Sequence, residues 1–145
     1  MQVRRSVLVP HPVEAMFDLI EKAEAYPQFL PWCVGATILE RNDDWVAGRL
    51  EFSYLQIKFS FETRNPKCRP RWLNVRLVDG PFRRFDGDWR LTPIGDLGCK
   101  VEFDVSYEIS DGLLDQLAKP AVEYVSRSMM DAFVKRAEHT LTGMP

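Results

Sequence analysis

The sequence predicts an α+β fold: a curved antiparallel sheet of about six to seven strands grips one long C-terminal helix, with an apolar cavity between them. Three observations carry this expectation. A series of short alternating segments is separated by turn residues. The last of them is the clearest, with Val101, Phe103, Val105, Tyr107 and Ile109 alternating with Lys100, Glu102, Asp104, Ser106 and Glu108. Beyond Ser110-Asp111-Gly112 the spacing turns helical, placing Val122, Val125, Met129, Phe133, Ala137 and Leu141 on one face. Sequential strands joined by tight turns pair antiparallel, and an apolar sheet face must bury an apolar helix stripe. Where sheet curvature exceeds what side chains fill, a cavity remains.

The elements follow in order. Val3 to Val9 reads as a strand, closed by Pro10-His11-Pro12, where two prolines force a turn and Pro12 suits a first helical turn. Val13, Met16, Phe17, Ile20 and Ala23 form the stripe of a helix. The segment from Tyr26 to Cys33 breaks that pattern; it is too apolar for a solvated loop, and its two prolines exclude a long helix. Ala36 to Glu40 is a short strand, and Asn42-Asp43-Asp44 supplies turn chemistry. Val46, Gly48, Leu50, Phe52 and Tyr54 define one strand face, and Ile57, Phe59 and Phe61 the next, joined tightly at Leu55-Gln56. Arg64 to Arg71 reads as a proline-punctuated basic loop. Trp72 to Val78 and Phe85 to Thr92 are strands around Asp79-Gly80-Pro81, and 93–98 is a turn region. From Leu113 to about Leu141, Pro120 divides a short helix from a long one.

Residues 1–145 read as one domain, long enough to bury roughly two-thirds of the surface its unfolded form exposes. Nineteen basic and 21 acidic side chains give a net charge of -2, without the basic excess of a dedicated nucleic-acid binder, and DNA is not an expected partner. Cys33, Cys68 and Cys99 are odd in number, form no CxxC and have no histidine at ligand spacing, so they read as reduced thiols with no metal site. No apolar run approaches the roughly 20 residues of a membrane span, and the N-terminal apolar stretch is too short for a signal peptide. A bacterial-type cytoplasm is the expected location.

Catalysis is poorly supported. A Ser–His or Cys–His system needs a histidine beside its nucleophile, and the two available, His11 and His139, read as surface residues. Asp86 and Asp88 lie opposite Phe85, Gly87 and Trp89 and so face solvent. No phosphate-binding glycine motif is present. The chain is expected not to be an enzyme.

The aromatics are more informative. Phe52, Tyr54, Phe59, Phe61, Trp89, Phe103 and Tyr107 all project to one sheet face by alternation. Two uses fit that face: a plain aromatic core, or the wall of a pocket for an apolar ligand, with Met129 and Phe133 of the last helix opposite. Phe29, Leu30, Pro31 and Trp32 fit either a hydrophobic lip over the cavity mouth or packing at one end of the sheet. The basic residues Arg64, Lys67, Arg69, Arg71, Arg83 and Arg84 fit either plain solvation or contact with RNA phosphates or an anionic membrane surface.

Four blocks then fall in a recognisable order: Tyr26–Cys33 (YPQFLPWC), Asn74–Phe82 (NVRLVDGPF), Phe85–Pro93 (FDGDWRLTP) and Met130–Ala137 (MDAFVKRA). Together they resemble the coenzyme Q-binding START-like family of the SRPBCC, polyketide cyclase-like superfamily, including its bacterial ribosome association toxin (RatA) branch. The resemblance spans nearly the whole chain and implies the helix-grip (START/Bet v 1-like) fold. It implies two functions. One is non-catalytic binding of ubiquinone or another isoprenoid lipid in the cavity, supporting respiration and requiring no cofactor. The other is binding the large ribosomal subunit and blocking subunit association. Cyclase-type enzymology is a third and weaker implication. The start directly at the first strand fits the bacterial branch, placing the chain in the cytoplasm or peripherally at the inner membrane. On the first reading the ligand-binding residues are Phe29, Leu30, Trp32, Phe52, Tyr54, Phe59, Phe61, Trp89, Phe103, Tyr107, Met129 and Phe133. On the second, the basic set makes the contact. Arg136 reads as structural, and Gly87 as a point of close backbone approach.

Overall fold

The computed structural model describes residues 1–141. Strand β1 (Gln2–Val9) leaves the sheet at the two prolines, and helix α1 (Val13–Glu21) and a 3-10 helix (Ala23–Gln28) carry the chain to the far edge. There β2 (Cys33–Arg41) begins a meander through β3 (Trp45–Tyr54), β4 (Ile57–Cys68), β5 (Trp72–Asp79), β6 (Phe82–Ile94) and β7 (Gly98–Ile109). Helix α2 (Leu113–Leu117) then leads into α3 (Lys119–Leu141), with Pro120 in its first turn, where a missing N–H costs nothing. The strand order is β1-β7-β6-β5-β4-β3-β2, every neighbouring pair antiparallel, so β7 returns beside β1.

The sheet is a curved seven-stranded layer closed by the C-terminal helix. Register shifts in β2, in β4 at Glu62/Thr63 and in β6 at Phe82/Arg84 each add local bend and twist. Alternation on β7 is as the sequence predicts: Val101, Phe103, Val105, Tyr107 and Ile109 are all buried. On α3 the buried stripe is Val122, Val125, Phe133 and Ala137, joined by Met130. At Gly87, directly opposite Val75, an added Cβ would lie 3.3 Å from the Val75 Cβ, which is the close approach its glycine permits. The Leu55-Gln56 turn is tight, and both residues take positive φ (50° and 67°).

Three local expectations need correction. The tract from Arg64 to Arg71 is not all loop, because β4 continues to Cys68. Pro66 is tolerated there because the β4–β5 ladder has no paired residues between Thr63↔Leu77 and Lys67↔Leu73. Inside that gap the Asn65 side-chain oxygen accepts the Arg76 N–H at 3.1 Å, replacing a backbone partner. His11 is buried, not on the surface: the turn that redirects β1 into α1 tucks it between Val9 and Val13, both core residues. Finally, β2 begins at Cys33 and β6 at Phe82, earlier than the alternation suggests.

Candidate ligand cavity

Between the concave sheet face and α3 lies an apolar cavity of ≈ 90 Å³. Its wall draws on six strands, β2 to β7, mostly by period-two placement. Leu50 and Phe52 come from β3, Phe59 and Phe61 from β4, Trp89 from β6 and Phe103 from β7. Helix α3 closes it with Val122, Val125, Ser126 and Met129, and the start of β2 adds Trp32 through the chain just before it. The rings touch in a chain. Phe52 stacks on Phe59 (4.9 Å), Phe61 meets Phe82 and Phe85 edge-on (6.0 and 5.5 Å), and Trp89 stacks on Phe103 (4.3 Å).

Of the twelve aromatic and aliphatic candidates, Trp32, Phe52, Phe59, Phe61, Trp89, Phe103 and Met129 line this space. The other five lie outside its wall, for identifiable reasons. Phe133 points from α3 into a ring cluster with Tyr26 (5.3 Å), Phe29 (5.2 Å) and Trp89 (5.2 Å), behind the faces that Tyr26 and Trp89 turn to the cavity. Phe29 and Leu30 pack in the core without lining the cavity, so within the segment before Cys33 it is Tyr26 and Trp32 that reach it. Tyr54 sits past the cavity and stacks on Tyr124 of α3. The Tyr107 ring is fully buried behind Phe82 (5.9 Å), and its hydroxyl makes no hydrogen bond. Burial, with Glu123 nearby, pushes the Tyr107 phenol up; Ser126 offsets this in part but falls short of bonding geometry, its own proton going to the Val122 carbonyl at 2.8 Å.

One end of the cavity is polar, and sequence reading missed it. Glu21, Thr37, Thr63 and Asn65 line it. The Glu21 carboxylate is held by Lys67 at 2.7 Å and by Arg41 at 2.7 Å, and Arg41 also grips Glu24. The Arg41 hydrogen bond holds the Glu24 carboxyl below the usual range. The available signal was the alternation itself: Thr63 and Asn65 continue the inward positions of Phe59 and Phe61, but Pro66 argued for ending the strand early.

The basic candidates are scattered and mostly engaged. Lys67 is inside the fold on Glu21, and Arg69 makes two bonds to Asp18 (2.7 and 2.8 Å). Arg64 lies over the Trp45 ring at 3.7 Å. Arg83 pairs with Glu108 (3.1 Å) and Asp111, and Arg84 bonds Ser106 (2.9 Å). Arg71 is exposed and forms no ion pair among the described residues. Arg136 bonds Gln28 (2.9 Å) and lies over Phe29, which ties α3 to the 3-10 helix. Asp86 and Asp88 face outward and meet Arg76. Among the described residues no group of His, Cys, Asp and Glu could hold a metal ion, and no helix is long and apolar enough to cross a membrane.

This architecture coincides with a sequence match over residues 9–134 to the family described as polyketide cyclase / dehydrase and lipid transport. The chain belongs to that family. Within the polyketide cyclase and lipid transport family it is 33% identical over 137 residues to the ribosome association toxin RatA of Escherichia coli K12, covering 94% of this chain and 87% of RatA. It is 24% identical over 142 residues to the mitochondrial coenzyme Q-binding protein COQ10 homolog B of Xenopus laevis, covering 94% of this chain and 58% of that one. A START superfamily protein from Mycobacterium smegmatis superposes with a TM-score of 0.78 at 20% identity, covering 95% of this chain and 97% of that one. The Zhui aromatase/cyclase from Streptomyces superposes at 0.83 with 15% identity, covering 97% and 95%. These two structures show the START-like fold alone. The two curated relatives carry toxin and coenzyme Q-binding names, whereas Zhui is named for an enzyme.

Proposed function

We propose that this chain binds a hydrophobic ligand, ubiquinone or another isoprenoid lipid, between the sheet and α3, and supports respiration without catalysing a reaction. One observation carries the reading: an aromatic-walled cavity in a core that could otherwise have closed. Each CH₂ withdrawn from water contributes roughly 0.8 kcal/mol, so apolar lining suffices for affinity and no cofactor is required. At ≈ 90 Å³ the cavity is smaller than the roughly 300–1,000 Å³ of common ligand sites, so an isoprenoid has to widen it. Met129, unbranched and only half-buried on α3, is the wall residue best able to move. A cytoplasmic protein that meets the membrane peripherally fits this role.

Native mass spectrometry with lipid extraction tests the reading on protein purified from its own host. A quinone or isoprenoid at near-stoichiometric amount is expected. An empty protein that also refuses added ubiquinone would sink the proposal.

A second reading, association with the large ribosomal subunit, is favoured by the similarity to RatA over 94% of the chain. Of its candidate contacts Arg71 is exposed without an ion pair among the described residues, whereas Arg69, Arg83 and Arg84 would have to exchange partners they already hold. Exposed pairs of this kind are weak and screened by salt and can exchange partners, so Arg69, Arg71, Arg83 and Arg84 are the set to neutralise. Co-sedimentation with ribosomes that weakens steeply with salt and vanishes in that variant would support it.

A further inference from the structure

We infer that the ligand is a neutral amphiphile whose head carries a hydrogen-bond-accepting oxygen, and that this head seats against Thr63 and Asn65 while the apolar part lies along Phe59 and Phe61. The inference rests on the cavity reading above and goes further by assigning a chemical class and an orientation. The inward face of β4 runs Ile57, Phe59, Phe61, Thr63, Asn65, Lys67, so one strand passes from aromatic to polar to ionic along the same wall.

The donors at the polar end are unspent. A backbone N–H can only donate, so the atom of Asn65 that meets Arg76 N–H must be the oxygen, and the amide NH₂ is what remains for the cavity. Thr63 is buried, and among the described residues its hydroxyl has no partner. Ser126, the polar group across the cavity on α3, has already given its proton to Val122. Thr63 and Asn65 therefore set two free donors on one strand at the polar end, and these call for an acceptor such as a carbonyl or ether oxygen.

Charge balance fixes neutrality. Lys67 and Arg41 face Glu21 and Glu24, two cations against two anions, all within ion-pair distance. A carboxylate or phosphate head would enter a site with no uncommitted counter-charge, and burying it unpaired is unfavourable.

Isothermal titration with two probes tests this: a benzoquinone bearing one isoprene unit, and a benzene ring bearing the same isoprene unit without oxygens. Thr63→Val keeps the shape and removes one donor. Asn65→Asp keeps the acceptor for Arg76 N–H and replaces the NH₂ donor. The quinone should bind native protein more tightly than the hydrocarbon and lose about 3- to 10-fold in Thr63→Val and more in Asn65→Asp, with the hydrocarbon unchanged in Thr63→Val. Equal binding of the two probes, or a quinone affinity untouched by both substitutions, would overturn the head-group assignment and leave the cavity reading standing. Failure of both probes to bind native protein would overturn both. Unchanged thermal unfolding of Thr63→Val separates a lost contact from a lost fold.

Discussion

Tyr54 at the end of β3 and Tyr124 on α3 lie face to face, ring centroids 4.3 Å apart and planes 12° from parallel. Tyr54 follows Phe52 by two residues and Tyr124 is flanked by Val122 and Val125, all three of which line the cavity. The stack thus ties the β3–β4 hairpin to the helix beside the cavity. Such a pair contributes about 0.5–1.5 kcal/mol beyond area burial. A double-mutant cycle of Tyr54→Ala and Tyr124→Ala in urea should return a coupling in that range, and either variant should take up ligand faster in stopped-flow mixing. A coupling of zero would mean that the rings merely lie together.

The ion pairs at the polar end should respond asymmetrically. Lys67 is 8% exposed and Glu21 15%, so both charges are largely out of water. Glu21→Gln strands the Lys67 ammonium, for which breaking a buried pair costs about 3–5 kcal/mol. Lys67→Met leaves Glu21 with Arg41 and should cost distinctly less. Urea denaturation of both variants checks the order; equal losses would contradict it.

Phe133 and Met129 sit one turn apart on α3 and should differ in kind. Phe133 is fully buried among three rings, and Phe133→Ala is expected to destabilise by about 3–5 kcal/mol. Met129 borders a space that is already empty, so Met129→Ala should cost about 2 kcal/mol or less, the low end for such truncations. Chemical denaturation of the two variants gives the comparison.

The thiols offer a pH test. Cys68 is exposed, whereas Cys33 and Cys99 are buried, so a thiol reagent should label one cysteine of the folded protein quickly and the others only on unfolding. Burial pushes the Cys33 thiol from 9.0 up to about 11. Below the ordinary value both states hold the proton, and the contribution to stability is constant. As pH rises from about 9 to about 11 the unfolded thiol ionises first, so stability falls through that window. Cys33→Ala should flatten this part of the stability–pH curve.

Most of the fold was legible because its strands have one buried face: β7 shows it fully, each inward residue buried and each partner on the other face less so. What was hidden came from pairings with no local signature. Pro66 argues for a loop until the gap in the β4–β5 ladder and the Asn65–Arg76 bond are seen, and ending β4 early concealed Thr63 and Asn65. Alternation gives the face of Tyr54 and Tyr107 but not how far along each strand the cavity extends, and both lie outside its lining. His11 was misjudged because residue type, not its seat between Val9 and Val13, was the only cue.

The most direct test of the central claim is calorimetric titration of a short-chain ubiquinone into native protein and into Met129→Trp, which fills the cavity from the helix side. The account predicts measurable binding to native protein and its loss in Met129→Trp, with thermal unfolding remaining cooperative in both. Binding undiminished by a filled cavity would place the ligand elsewhere and contradict the account.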